Sequence, residues 1–182
     1  MPELSVPWGH DQLELKLPDD WQVEQVASRS VQRAPEDWPE RLALALSQPA
    51  VGLPLGRLLA ARPHGKVAIV VEDVTRHSPT PRILEVIMRE IRHARIPDEQ
   101  VEVVFATGMH PAMSPAQAAE KLGPAMEGIR RRSNPWADGG AYVHLGQIGR
   151  APVRIDRSVA AADIRILVAS VSPHLQGGFG GG

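Results

Sequence analysis

The chain has 182 residues, 43% of them hydrophobic and 23% charged, which is enough for one domain with a genuine core and short for two. Its 20 Lys and Arg against 21 Asp and Glu leave a formal net charge of -1, so charge gives no reason to expect a nucleic-acid or membrane partner. Cysteine is absent, which excludes disulfides, thiolate metal sites and a cysteine nucleophile and fits a reducing compartment. The start, Met1-Pro2-Glu3-Leu4, lacks the basic and apolar segments of a signal peptide. The longest apolar runs, such as Val67 to Val71, fall far short of the roughly 20 residues a spanning helix needs. A cytoplasmic, soluble protein is expected.

In chain order, Val6 to Pro18 predicts a β-hairpin, with Leu13, Leu15 and Leu17 alternating after Trp8-Gly9-His10-Asp11. Residues 19 to 40 predict mostly loop. Short helices are expected over Glu40 to Ser47 and Leu55 to Ala61, the second closed by Pro63-His64-Gly65. Val67 to Val71 is a continuous, mostly β-branched run, as in a parallel strand covered on both faces. Pro79 and Pro81 then open a helix in which Ile83, Leu84, Ile87, Met88 and Ile91 recur at helical spacing. After the turn at Pro97-Asp98, Val101 to Phe105 predicts a second strand. Ser114 is placed to cap a helix that ends at Leu122, with Gln117 at the capping-box position.

Strand, helix, strand, helix in alternation predicts a right-handed crossover and an open, mostly parallel α/β sheet with flanking helices, a Rossmann-like domain preceded by the hairpin. Gly128 to Gly140 predicts an irregular basic segment in which Arg130, Arg131 and Arg132 form a solvated face. Ala141 to Leu145 and Ala151 to Ile155 are expected short strands, followed by a short helix over Arg157 to Ala162 and a strand over Ile164 to Ala169. Trp8, Trp21, Trp38 and Trp136 lie outside the regular strands and are expected to join the core in part.

Three loops leave the carboxyl ends of candidate parallel strands, and in such a sheet those ends share one edge. Asp73, Thr75 and Arg76 come from the first loop, His110 from the second and His174 from the third. Two imidazoles facing one pocket suit acid–base work near neutral pH, one accepting a proton while the other donates. Arg76 is able to fork onto a carboxylate, and Asp73 to orient a histidine or the arginine. Each residue alone also has a plain structural reading: Asp73 as a turn residue, Arg76 as a solvated charge, either histidine as a surface side chain. His10, His64, His77, His93 and His144 keep that plain reading, His93 at a helix end that suits a cation. The last stretch, Ser172 to Gly182, is either a Gly-rich tail or a loop whose backbone amides approach an anion closely; it matches neither the Walker nor the dinucleotide fingerprint.

Taken together, Glu72-Asp73-Val74-Thr75-Arg76-His77-Ser78-Pro79, Ala106-Thr107-Gly108-Met109-His110-Pro111 and Pro173-His174-Leu175-Gln176-Gly177-Gly178-Phe179-Gly180-Gly181 resemble the nickel-pincer-dependent lactate racemase family. The resemblance runs from about Leu4 to the end of the chain. It implies a two-domain enzyme with its active site in the cleft between domains, residues 1–182 being an incomplete N-terminal domain. It implies His110 and His174 as the acid–base pair, with a hydride exchanged between the substrate and the pyridinium of a nickel-pincer nucleotide. It implies Asp73, Thr75 and Arg76 in the substrate pocket, and Thr107, Gly108, Gly177, Gly178, Gly180 and Gly181 along the cofactor, with no metal ligand from this chain. The cofactor-bearing lysine of the family follows just after the Gly-rich loop, past Gly182, so these 182 residues alone are expected to be inactive. His174-Leu175-Gln176 lacks the aromatics of lactate-specific members, which leaves the 2-hydroxy acid open.

The leading expectation is therefore the N-terminal part of a 2-hydroxy-acid racemase or epimerase. The expected partners are a small 2-hydroxy acid and a C-terminal domain, with no nucleic acid and no membrane. The alternatives are a non-catalytic α/β module that binds a small carboxylate or phosphate, and a partner subunit for a separately encoded second domain. An unfinished sheet edge also makes self-association possible.

Overall fold

In the computed structural model, which describes residues 3–8, 11–24, 33–174 and 178–180, the chain divides into two units, Met1–Pro35 and Glu36–Gly182. The first unit is built on β1 (Glu3–Trp8) and β2 (Asp11–Lys16), an antiparallel pair in register from Glu3 opposite Lys16 to Trp8 opposite Asp11. This is the hairpin expected from the leucine alternation. Residues 25–32 lie outside the described residues.

The second unit opens with α1 (Trp38–Ser47) and α2 (Leu55–Ala60), followed by β3 (Val67–Val71) and α3 (Thr80–His93). Next come β4 (Val101–Phe105), α4 (Pro115–Leu122), β5 (Arg130–Ser133), and the pair β6 (Tyr142–Ile148) and β7 (Ala151–Asp156). The chain closes with α5 (Arg157–Ala161), β8 (Ile164–Val168), β9 (Ser172–His174) and β10 (Gly178–Gly180). Four strands form an all-parallel sheet in the order β5-β4-β3-β8. Among the described residues no helix is long and apolar enough to cross a membrane.

The central position of β3 explains its composition. Val67, Ile69 and Val71 pack on one face with Val101, Val103 and Phe105 of β4, under Leu84, Ile87, Met88 and Ile91 of α3. Each Å2 of apolar surface this layer removes from water contributes roughly 25 cal/mol to folding the unit. The opposite face is covered by a smaller cluster, Ala68 and Val104 under Val159 and Ala162. The 3.6-residue period of α3 and the capping box of α4, with Ser114 Oγ accepting from the Gln117 amide at 3.3 Å, match the sequence reading.

Three expectations are corrected. The segment read as irregular and basic contains β5, because Arg130–Ser133 pairs with Glu102–Phe105 at the sheet edge, where one face of a strand tolerates charge. Arg132 is not a solvated side chain: it donates to Glu102, to both carboxylate oxygens of Asp156 and to Ser158, binding β5 to the start of α5. Trp21 and Trp136 remain 60% and 50% exposed and do not join the core. Trp38 is half-buried, and the side chain of Trp8 lies outside the described residues.

The connection after α4 is held by a close approach. Gly123 caps the helix with φ +74, and a Cβ there would stand 2.7 Å from Pro81 Cβ at the start of α3. Gly123→Ala is therefore expected to lower unfolding free energy by about 1–3 kcal/mol, read by urea unfolding, from strain and clash together.

Candidate active site

Because β3, β4 and β8 are parallel, the loops that follow them emerge on one edge of the sheet. The Ala106 amide donates to Val71 O at 2.8 Å and starts the second loop alongside the first. That loop turns at once: the His110 amide donates to Thr107 O at 2.9 Å, with Gly108 at φ +57 in a conformation that side chains with a Cβ adopt rarely. The tight turn carries the His110 ring to Asp73, with 2.5 Å between Nδ1 and Asp73 Oδ2. Asp73 is itself held by an Asx-type turn in which its Oδ1 accepts from the Thr75 amide at 2.9 Å and the Thr75 hydroxyl at 2.5 Å.

Burial pushes the Asp73 carboxyl up, but the hydrogen bonds from Thr75 and His110 outweigh it and hold the group below its ordinary value. Asp73 is therefore an ionised acceptor at neutral pH. An acceptor at that distance calls for the proton on His110 Nδ1, and in the neutral ring that leaves Nε2 with the free lone pair. His110 and Asp73 line a cavity of about 330 Å3 together with Thr75, Arg76 and Gly108, over apolar Val70 and Leu167. Arg76 is exposed, and its guanidinium has no partner among the described residues. The cavity thus combines an imidazole, a guanidinium without a partner among the described residues, and an apolar wall.

A second carboxylate next to Asp73 does different work. Glu72 is buried; its Oε2 accepts from the Ser170 amide at 2.9 Å and the Ser170 hydroxyl at 2.7 Å, and its Oε1 from the Ser78 amide at 3.3 Å. Buried Lys121 of α4 approaches Oε1 at 3.3 Å and also donates to Arg76 O at 2.7 Å. Burial raises the Glu72 carboxyl, and the bonds from Ser78, Ser170 and Lys121 more than offset it, to a pKa of about 2. Glu72, Lys121 and Ser170 were not singled out from the sequence, although a lysine beside Leu122 and three residues after Ala118, on the buried side of α4, was the available signal. Asn134 was also missed. Its Oδ1 accepts from the Thr107 amide at 3.1 Å and hydroxyl at 2.7 Å, and its Nδ2 donates to Tyr142 Oη at 2.8 Å.

Of the residues expected at a site, Asp73, Thr75, Arg76, Thr107, Gly108 and His110 therefore line one cavity, with the hydroxyls of Thr75 and Thr107 committed to Asp73 and Asn134. His174, Gly178 and Gly180 stand apart from that lining. They belong to β9 and β10, an antiparallel pair with His174 opposite Gly178. A Cβ on Gly180 would approach His174 Cδ2 to 3.3 Å, so the glycine leaves room for the ring. Gly177 and Gly181 lie outside the described residues. Among the described residues no group of three or more His, Cys, Asp or Glu is arranged to hold a metal ion.

Residues 8–182 match the family model described as the lactate racemase N-terminal domain. The chain is 24% identical over 191 residues to the lactate racemase of Thermoanaerobacterium thermosaccharolyticum, covering 100% of this chain and 43% of that protein. Its structure is similar to that of the lactate racemase apoprotein from the same organism, with a TM-score of 0.74 and 21% identity over 98% of this chain and 41% of the other. A Thermotoga maritima protein from a structural genomics consortium is similar at a TM-score of 0.60 and 18% identity, over 78% and 35% of the respective chains. The chain spans less than half the length of these relatives.

The low value of Glu72 has a measurable consequence. A carboxyl that ionises at about 2 in the folded chain and near 4.5 otherwise contributes stability that is complete above about 4.5 and lost as pH falls toward 2. Asp73 is shifted in the same direction. Unfolding midpoints are expected to drop over that window, with a shallower drop in Glu72→Gln; equal slopes in the two proteins would show that Glu72 carries none of it.

Proposed function

The chain belongs to the lactate racemase N-terminal domain family, and from that premise we propose that it is the N-terminal domain of a two-domain racemase or epimerase of a 2-hydroxy acid. The observation that carries the proposal is the His110–Asp73 pair in one cavity with Arg76, whose guanidinium has no partner among the described residues. A module that only captured an anion would need the arginine, but not an imidazole whose tautomer is fixed by a buried carboxylate.

In this reading Arg76 pairs with the substrate carboxylate and the apolar wall of Val70 and Leu167 takes the rest of the molecule. His110 Nε2 accepts the proton of the C2 hydroxyl, and the negative charge of Asp73 stabilises the imidazolium that forms. His174, on the hairpin that follows the third strand, serves the opposite enantiomer in the same way. Racemisation needs matched chemistry on both faces of one carbon, which accounts for two histidines in strand-end segments.

The family resemblance implies a nickel-pincer nucleotide, which when bound supplies the acceptor for the electron pair of the substrate C2–H bond. The residues present fit the anionic part of such a group. Gly108 and Gly178 both take positive φ and expose backbone with no atom within 4 Å of where a Cβ would stand, which lets an anionic group approach. Thr107, Gly108 and the glycines at 177, 178, 180 and 181 would hold it. The C-terminal domain of the longer relatives would close the other side of the site.

The test is racemisation of D- and L-2-hydroxy acids by the full-length protein loaded with cofactor. His110→Ala and His174→Ala are each expected to lower kcat by about 100-fold or more, and Arg76→Ala to act mainly through KM. Undiminished racemisation in both histidine variants would sink the proposal.

A further inference from the structure

We propose that the Glu72–Lys121 pair is the positioning element of this site, setting the backbone of Arg76 and Ser170 and so the angle at which the first and third loops meet the cavity; its functional consequence rests on the reading above. Four donors from three segments converge on one carboxylate: Ser78 N, Lys121 Nζ, Ser170 N and Ser170 Oγ. Lys121 then spends a second donor on Arg76 O at 2.7 Å. The carbonyl it holds belongs to the residue whose side chain lines the cavity with no partner among the described residues, and Ser170 lies four residues before His174.

Packing alone does not call for this arrangement. Ala118 and Leu122 already seat α4 in the core, and Ser114 and Gln117 already cap it. A buried ion pair adds little stability over apolar side chains of the same volume, so stability alone does not account for its presence here. An apolar residue at 121 would leave both Arg76 O and Glu72 short of a donor, at the point where the β3–α3 loop, α4 and the segment after β8 meet. Asp73 follows Glu72 directly, so the same grip limits the freedom of the His110 partner.

Hydrogen exchange followed by mass spectrometry on the full-length protein tests this together with steady-state kinetics. In Lys121→Met, segments 73–79 and 169–172 are expected to exchange about tenfold faster while 67–71 and 101–105 are unchanged. KM for the 2-hydroxy acid is expected to rise about tenfold with a smaller change in kcat, and Lys121→Met added to Arg76→Ala to cause no further rise. Ser170→Ala, a milder change should Lys121→Met fail to fold, is expected to speed exchange of 73–79 about threefold although it lies in another loop. Wild-type exchange of 73–79 in Ser170→Ala, or a KM effect of Lys121→Met that persists undiminished without Arg76, would overturn the inference. Should the full-length protein racemise no 2-hydroxy acid, the proposed function fails while the exchange measurements still decide the clamp.

Discussion

One buried carboxylate ties the carboxyl edge of the sheet together. Parallel strands deliver their loops to a common edge but do not fix how those loops stand relative to one another. Glu72 does so by accepting from the segment after β3, from α4 and from the segment after β8. Burying a charge there is tolerable only because its oxygens are well satisfied, and the same satisfaction makes the arrangement hard to loosen piecemeal. The edge behaves as one cross-linked unit, and the cavity forms between the pieces it joins.

Two adjacent carboxylates divide the labour. Glu72 is spent on structure, while Asp73 faces the cavity and is spent on an imidazole. Both are held in the ionised form, but by different donors: Ser78, Ser170 and Lys121 for the first, Thr75 and His110 for the second. An ionised Asp73 favours the proton on His110 Nδ1 and so fixes the orientation of a half-exposed ring that shares its cavity with Arg76. Membership of the lactate racemase N-terminal domain family gives this geometry its context.

Much of this was legible in the sequence because the relevant patterns are local. β3 and β4 are unbroken apolar runs, α3 keeps a helical period, and Ser114 with Gln117 announces the start of α4. The resemblance picked out Asp73, Arg76 and His110, which share the cavity. What escaped depends on distant partners. β5 carries three arginines and becomes a strand only because Glu102–Phe105 lies beside it, and Arg132 is neutralised by Asp156 far along the chain. Lys121 has the composition of a solvated residue until Glu72 and Arg76 O are placed against it. The pairing of Ser172–His174 with Gly178–Gly180 was hidden as well, because glycine has weak strand propensity. Trp21 and Trp136 mark the opposite error, since size and apolarity alone do not place a side chain in a core.

The contact between His110 Nδ1 and Asp73 Oδ2 assigns the proton of the neutral ring to Nδ1 and leaves Nε2 bare. Long-range nitrogen–proton correlation of the His110 ring in the wild-type protein and in Asp73→Asn, at a pH where the ring is neutral, reads this directly. The expected result is a proton on Nδ1 and a bare Nε2 in the wild type, with the preference lost in Asp73→Asn. A wild-type ring carrying its proton on Nε2, or one indifferent to the substitution, would contradict the assignment.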